Sequence, residues 1–391
     1  VISVTEALDR IFALLSPLGP ETVPLRHAAG RVLAKDAAAR RDQPPFDAAQ
    51  MDGYALRDAD ARSGAALRVI GAAAAGHGFA GTVGPAEAVR IFTGAPVPEG
   101  ADRVVMQEDV RVADDQITVA PDADTSRYIR PRGGDFSVGD RVPAGRVLRP
   151  ADLTLLASMN LAEVPVVRRP VVAILSTGDE LVMPGETPSP DQIIASNAFG
   201  LAALAEAAGA AARLLPLARD TAESLDAGLS LAAGADLVVT SGGASVGDHD
   251  ILAACGAQLG LEQAFYKVAM RPGKPLMAGR MRGIPMIGLP GNPVSAMVCG
   301  TVFMQPALRH LGGHPAAAAP REAATLAANL PANGPREHYM RAMRLPDGRV
   351  AAAGRQDSSL QKVLSEADTL IVRPPGDSAR HAGETVEIVK I

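Results

Sequence analysis

The stretch ADLVVTSGGASVGDHD, residues 235–250, decides the reading of the fold. Leu237, Val238 and Val239 make a short apolar run, long enough for a buried strand and too short for a helix. The run breaks into Ser241-Gly242-Gly243-Ala244-Ser245-Val246-Gly247 and closes on Asp248 and Asp250. Glycine permits positive φ and lets backbone N–H groups come close to a ligand. Hydroxyls and carboxylates just past a strand end are what a phosphate or a metal–phosphate needs. Taken alone, Gly242-Gly243 also suits an ordinary strand-to-helix turn.

Two more loops of this kind shift the balance. Residues 171–175 (VVAIL) run into Ser176-Thr177-Gly178-Asp179-Glu180, and residues 285–289 (PMIGL) run into Pro290-Gly291-Asn292-Pro293. Three apolar strands emptying into small-residue loops predict parallel strands whose carboxyl ends share one edge, where open α/β sheets bind ligands. The segments between read as crossover helices. Ser196 is placed to cap a helix carrying Leu201 and Leu204 and ending at Gly209. Asp220-Thr221-Ala222-Glu223 has capping-box spacing ahead of Leu225 and Leu229, and Asn292 with Pro293 opens a third helix. A doubly wound α/β domain is expected over about residues 169–313.

Composition agrees. The 391 residues exceed one ordinary core, so about two to four domains are expected. A net charge of -5 without a basic–aromatic cluster argues against a general nucleic-acid binder, so any anion site is built locally. The two cysteines, Cys255 and Cys299, sit in apolar surroundings and predict buried thiols in a reduced, cytoplasmic compartment. No signal peptide is read. Residues 283–308 carry no charge, but Pro285, Pro290, Pro293 and Pro306, with Asn292 and Gln305, predict a buried strand–turn–helix rather than a membrane span.

Ahead of the α/β domain, Ser3 and Glu6 have capping-box spacing, and Leu8, Ile11, Phe12 and Leu15 form the stripe of an amphipathic helix. Its apolar face needs a partner, and the α/β domain is a candidate. In QPPFDAAQMDGYA (residues 43–55) the prolines exclude helix and Asp52-Gly53 signals a turn. Such an Asp serves equally as a plain turn former. Residues 67–130 read as short strands broken by glycine, with Pro96 and Pro98 stiffening the loop that follows Thr93. Residues 129–135 place Arg130, Arg132 and Asp135 around Gly133-Gly134. Pro150 precedes a helix signal at 151–157. Beyond an Ala/Pro linker after His314, residues 339–345, the turn Pro346-Asp347-Gly348 and Arg349 onward read as a hairpin, and Val386, Ile388 and Val389 as a last strand.

Chemistry follows by exclusion. No Cys/His set has zinc spacing, no Gly-x-Ser-x-Gly elbow occurs, and Gly273-Lys274 lacks the P-loop spacing. What remains is Asp, Glu, Thr, Ser, Lys and Arg on glycine loops, an inventory suited to magnesium and phosphate. Lys267, Arg271 and Lys274, close together in an acidic chain, form a candidate anion site, although a solvated basic turn has the same composition.

QPPFDAAQMDGYA, IFTGAPVPEGADRVVMQE, IRPRGGD, STGDEL, TSGGASVGDHD, VAMRPGKPL and GLPGNPVS follow one another in this order. Together they resemble the molybdopterin molybdenumtransferase family, which includes MoeA and the gephyrin E-domain. The resemblance implies a multidomain fold of α/β plus β parts, elongated and homodimeric. Its parts would be a molybdopterin-binding, doubly wound α/β domain (1–19 and 169–313), a linking α/β segment (20–42 and 138–168), an inserted small mostly-β domain (43–137) and a C-terminal β-barrel-like domain (316–391). The implied reaction binds adenylylated molybdopterin, inserts molybdate into its dithiolene and releases AMP, with Mg2+. A molybdopterin adenylyltransferase is an implied partner.

The matching catalytic positions are Asp52, Thr93, Asp135, Glu180, Asp220 and Asp250, with Asp52, Glu180 and Asp250 on the metal. Ser176, Thr177, Gly178, Ser241, Gly242, Gly243, Ser245, Gly247, Lys267, Pro290, Gly291, Asn292 and Pro293 would hold the pterin nucleotide. Arg271, Lys274, Pro275, Arg336, Arg341 and Ser358 would hold molybdate. The resemblance also implies that the small β domain of a second subunit completes the site. Ala48-Ala49-Gln50 departs from the family pattern, which carries a small hydroxyl there, and Asp220 is also explained by helix capping. Two further readings are a non-catalytic pterin-binding or protein scaffold, and an adenylyltransferase or nucleotide pyrophosphatase sharing the α/β fold. The acids and Thr93 weigh against the first; the second leaves residues 44–135 and the tail without a role.

Overall fold

The computed structural model describes residues 1–242 and 256–391. Gly243, Ser245, Gly247, Asp248, Asp250 and Cys255, singled out above, lie outside the described residues. The chain divides into two units, one of Val1–Glu21, Gly30–Ala34 and Val166–Ile391, the other of Thr22–Ala29 and Lys35–Pro165.

In the first unit, strands Ala211–Leu214, Val171–Ser176, Leu237–Ser241 and Ile284–Leu289 run parallel in that order, and Met277–Met281 and Leu261–Tyr266 extend the sheet antiparallel. The three strands read from the sequence are therefore neighbours. Ser176 lies opposite Ser241, and Ser241 opposite Leu289, so their loops leave one edge in register. Alternate residues of a strand face opposite sides of the sheet. Val172 and Ile174 accordingly join one core with Leu8 and Ile11 of helix Val4–Ala13, Leu201 of helix Asn197–Ala207 and Val298 of helix Pro293–Cys299. Ala173 and Leu175 join another with Leu225 and Leu229 of helix Ala222–Ser230. Burial on both faces explains why these strands are continuously apolar.

Local capping signals hold where nothing distant competes. The Ser3 hydroxyl accepts from the Glu6 N–H at 3.1 Å. Thr221, one residue past Asp220, caps its helix by accepting from Ser224 N–H at 3.2 Å. Ser196 and Asn292 precede their helices without a side-chain cap. Ser196 Oγ instead accepts from Gln361 Nε2 and Asn292 Nδ2 donates to Ser358 Oγ, both at 3.1 Å. Both side chains reach a distant partner, and neither accepts from the first turn of its own helix.

Residues 283–308 form strand Ile284–Leu289 and helix Pro293–Cys299, which continues through Gly300–Met304 into Gln305–Leu311. No described helix is long and apolar enough to cross a membrane. The tail builds a second six-stranded sheet ordered Met270–Arg271, Glu337–Arg344, Thr369–Arg373, Thr385–Lys390 and Glu322–Thr325, with Val350–Ala352 paired to Glu337–Arg344. The expected hairpin is present, closed by Leu345 N–H donating to the Arg349 carbonyl at 2.8 Å. Met270–Arg271 enters this sheet from the α/β part, pairing parallel with Glu337 and His338.

The second unit carries a sheet ordered Arg103–Met106, Gly53–Leu56, Glu87–Ile91, Ala66–Ala73, Gln116–Val119 and Val110–Ala113, together with helix Pro150–Ser158. A Cβ on Gly53 would lie 1.9 Å from the Val105 carbonyl oxygen, so the strand after Asp52 requires glycine at its start.

Candidate active site

A cleft of about 1430 Å³ opens at the carboxyl ends of the three parallel strands. Its wall takes Ser176, Thr177, Gly178 and Glu180 from the first loop, Ser241 and Gly242 from the second, and residues 290–293 from the third. Asp191–Asn197, Asp220, Lys274, Pro275, Ser359 and Gln361 complete it. A Cβ on Gly242, where φ is +94°, would stand 2.3 Å from the Thr177 carbonyl oxygen. The second loop therefore crosses the first at a distance that only glycine permits.

Ser176 and Thr177 are 4 % and 3 % exposed, and among the described residues neither hydroxyl oxygen has a hydrogen-bond partner. Leaving such a group unsatisfied costs about 1–3 kcal/mol. Asn197, which no sequence motif singles out, bridges two loops: Nδ2 donates to Ser241 Oγ at 2.9 Å and to the Gly291 carbonyl at 2.7 Å. Its only signal in the sequence is an amide next to Ser196 at a helix start.

Glu180 and Asp220 stand on the acidic side of the cleft. Asp179 supports its own surroundings: Oδ1 accepts from Asp220 N–H at 3.1 Å, and its carbonyl accepts from Arg219 Nη1 at 2.7 Å. Among the described residues no three His, Cys, Asp or Glu side chains gather as a metal cage. Two carboxylates beside serine and threonine hydroxyls nonetheless fit magnesium, which is commonly held by one or two carboxylates plus substrate phosphate and water.

On the cationic side, Lys274 is exposed on the wall and Pro275 is buried there. Arg271 and Arg336 stand exposed beside the C-terminal sheet, and among the described residues neither guanidinium has an acceptor. Arg341 is placed differently, at 1 % exposure. Its Nη1 donates to the Asp357 carbonyl at 2.7 Å and its Nε to Gln356 Oε1 at 3.3 Å. Arg341 thus braces the loop that presents Ser358 to Asn292 and Ser359 to the cleft. Lys267 lies over the Tyr266 ring, with Nζ 4.9 Å from its centroid, and is not part of the wall.

In the second unit, Asp52 Oδ1 accepts from the Thr93 N–H at 2.8 Å and from the Thr93 hydroxyl at 2.7 Å. Those two donors, the N–H foremost, hold the Asp52 carboxyl below the usual carboxylate range. Arg90 donates to the Gly53 carbonyl at 2.9 Å and stacks over Tyr54 and Phe92. Met51 and Phe92, the sequence neighbours of Asp52 and Thr93, are 38 % and 40 % exposed. Asp135 is exposed; its N–H donates to the Gln43 carbonyl at 2.9 Å, and its carboxylate has no partner among the described residues.

Family profiles match nearly the whole chain: the MoeA N-terminal region (domain I and II) at residues 2–160, a probable molybdopterin binding domain at 173–310, and the MoeA C-terminal region (domain IV) at 323–391. The chain is 35 % identical to the molybdopterin molybdenumtransferase of Nostoc sp. over 408 residues, covering 100 % of this chain and 94 % of that relative. It is 37 % identical to molybdopterin molybdenumtransferase 2 of Mycobacterium tuberculosis, covering 99 % and 98 %. The solved structure of the molybdopterin biosynthesis MoeA protein from Pyrococcus horikosii superposes with a TM-score of 0.85 at 32 % identity, covering 100 % of this chain and 99 % of that one.

Proposed function

The chain belongs to the MoeA family of molybdopterin molybdenumtransferases, enzymes of molybdenum cofactor biosynthesis, and on that basis we propose its reaction. It binds adenylylated molybdopterin, inserts molybdate into the dithiolene and cleaves the phosphoanhydride, releasing AMP in a magnesium-dependent step in the cytoplasm. The observation that carries this reading is the convergence of the three strand-end loops, with Ser176, Thr177, Ser241 and Gly242, on one cleft. Such groups suit the phosphates and ring heteroatoms of a pterin nucleotide.

The roles follow from the family resemblance. The loops at 176–178, 241–247 and 290–293 hold the nucleotide through hydroxyls and backbone donors, and Asn197 keeps two of those loops together. Glu180 and Asp250 would hold magnesium, Asp52 joins them from a second copy of the chain, and Asp220 is a further acid of the reaction. When bound, that ion neutralises phosphate charge. Lys274, Pro275, Arg271, Arg336 and Ser358 orient molybdate, whereas Arg341 acts through the loop it braces. Thr93 keeps Asp52 ionised and aimed, and Asp135 serves from the same unit. A homodimer is supported by the exposed Met51 and Phe92 beside Asp52 and Thr93, an apolar rim suited to burial against a second copy. The four-part division given under Sequence analysis belongs to this proposal, as does supply of the substrate by a molybdopterin adenylyltransferase.

The test is reconstitution. Purified protein given adenylylated molybdopterin, magnesium and molybdate should form molybdenum cofactor and release AMP in step with it. Tight pterin binding without molybdate-dependent AMP release would replace the enzyme reading with the scaffold.

A further inference from the structure

A second cavity, of about 600 Å³, lies beside the cleft and takes its walls from helix Asn197–Ala207, helix Pro293–Cys299 and the tail helix Gln361–Glu366. Small-molecule sites commonly enclose about 300–1,000 Å³ behind apolar walls that carry a few polar groups. Here Leu204, Met297, Val298 and Leu364 supply the apolar surface, and Thr301 and Ser365 the hydroxyls. Among the described residues no Asp or Glu side chain lines it, and the one cation that does, Lys362, keeps its side chain 90 % exposed and pairs with Glu366 at 4.0 Å. Burying a charge without a partner is costly, so the walls favour a neutral, mainly apolar guest.

Two features set this cavity apart from a packing gap. The helix behind it turns π-helical at Gly300–Met304, where the Thr301 hydroxyl donates to the Met297 carbonyl at 3.1 Å. Such π segments recur at functional sites. Met297 itself is unbranched and adaptable, and its thioether makes favourable contacts with aromatic rings. The other feature is a common wall: Ser196, Asn197, Pro293 and Gln361 line both the cavity and the cleft. Gln361 Nε2 donates to Ser196 Oγ at 3.1 Å, and the next residue, Asn197, holds Ser241 and Gly291 of two cleft loops.

We propose that this cavity is a second ligand site, for a small neutral aromatic compound, and that its occupation is coupled to nucleotide binding in the cleft. The coupling, though not the site, rests on the reading that the cleft takes the pterin nucleotide. A ring packed on Met297 immobilises the Ser196–Gln361 tie and the Asn197 bridge. A nucleotide arriving in the cleft then has less of that wall left to order. Each ligand therefore tightens the other's binding by the same factor.

The test uses the full chain labelled with 13C-methyl methionine and followed by NMR; Met297→Leu assigns the signal. Indole is the probe for the cavity and AMP the probe for the cleft. Indole should shift the Met297 methyl signal with a dissociation constant of about 1 mM or tighter. Leu204→Trp and Ser365→Trp fill the cavity from two different walls. Each, checked for folding by its melting curve, should bind indole at least about tenfold more weakly. Saturating indole should tighten AMP binding about fivefold in the parent, and this effect should be lost in Gln361→Ala. An unmoved Met297 methyl, or an equal shift in a folded, filled variant, overturns the site. Unchanged AMP affinity with the cavity occupied overturns the coupling. A parent that binds indole but no AMP overturns the nucleotide reading, and the coupling with it, and supports the site.

Discussion

Asp52 receives two hydrogen bonds from one residue, Thr93, and this arrangement can be tested through pH. The Asp52 pKa lies below the ordinary value, so the carboxylate stays charged well into the acid range. Removing the hydroxyl in Thr93→Val leaves the backbone donor and takes away the second. The folded pKa should rise, so activity should fall at higher pH on acidification than in the parent; a pH–rate profile measures this, and an unmoved acid limb would detach Thr93 from Asp52 in the reaction. Asp52→Asn should lower turnover at least about tenfold, as expected for losing a charge that acts in the transition state. Normal turnover would reduce Asp52 to the turn former that its Asp-Gly context also allows.

At the scale of elements, the cleft depends on loops that belong to separate strands being held together. Asn197→Ala removes both bridges, to Ser241 and to Gly291, and should cost about 1–2 kcal/mol of stability while weakening binding of the pterin nucleotide. Melting temperature and a direct binding assay read the two effects separately; intact binding would leave Asn197 a purely structural brace. The tail sheet offers a test of opposite emphasis, stability without chemistry. Asp377 is held below the usual carboxylate range by Arg380 first and Arg373 second, and Arg373 is buried. Its contribution should be complete above about pH 4, the ordinary Asp value, and lost as pH falls through the lower folded value. Asp377→Asn strands the buried Arg373 and should cost about 3 kcal/mol at neutral pH, with much less difference in strong acid. Denaturant titrations at the two pH values would show it, and an equal loss at both would remove the ion pair as the cause.

For the whole molecule, the proposed homodimer predicts complementation. Mixing inactive Asp52→Asn with inactive Glu180→Gln, under conditions where subunits exchange, should restore about a quarter of wild-type activity, because mixed dimers carry one intact site. Demonstrated exchange without recovery would mean that each chain supplies both acids to its own site. What the sequence by itself determined about this protein is local or short in range. The three strand–loop units, the Ser3 cap and the 346–348 hairpin all follow from apolar periodicity and turn chemistry over a few residues. The ordered motif set also determined the family. Only the tertiary structure decided that Asn197 bridges two loops, that Ser196 and Asn292 give up their caps for Gln361 and Ser358, and that Arg341 is a buried brace. It likewise enrolled Arg271 beside His338 in the tail sheet. These outcomes depend on partners dozens to hundreds of residues away, and local sequence carries no record of which polar group a folded neighbour will bring within hydrogen-bond reach.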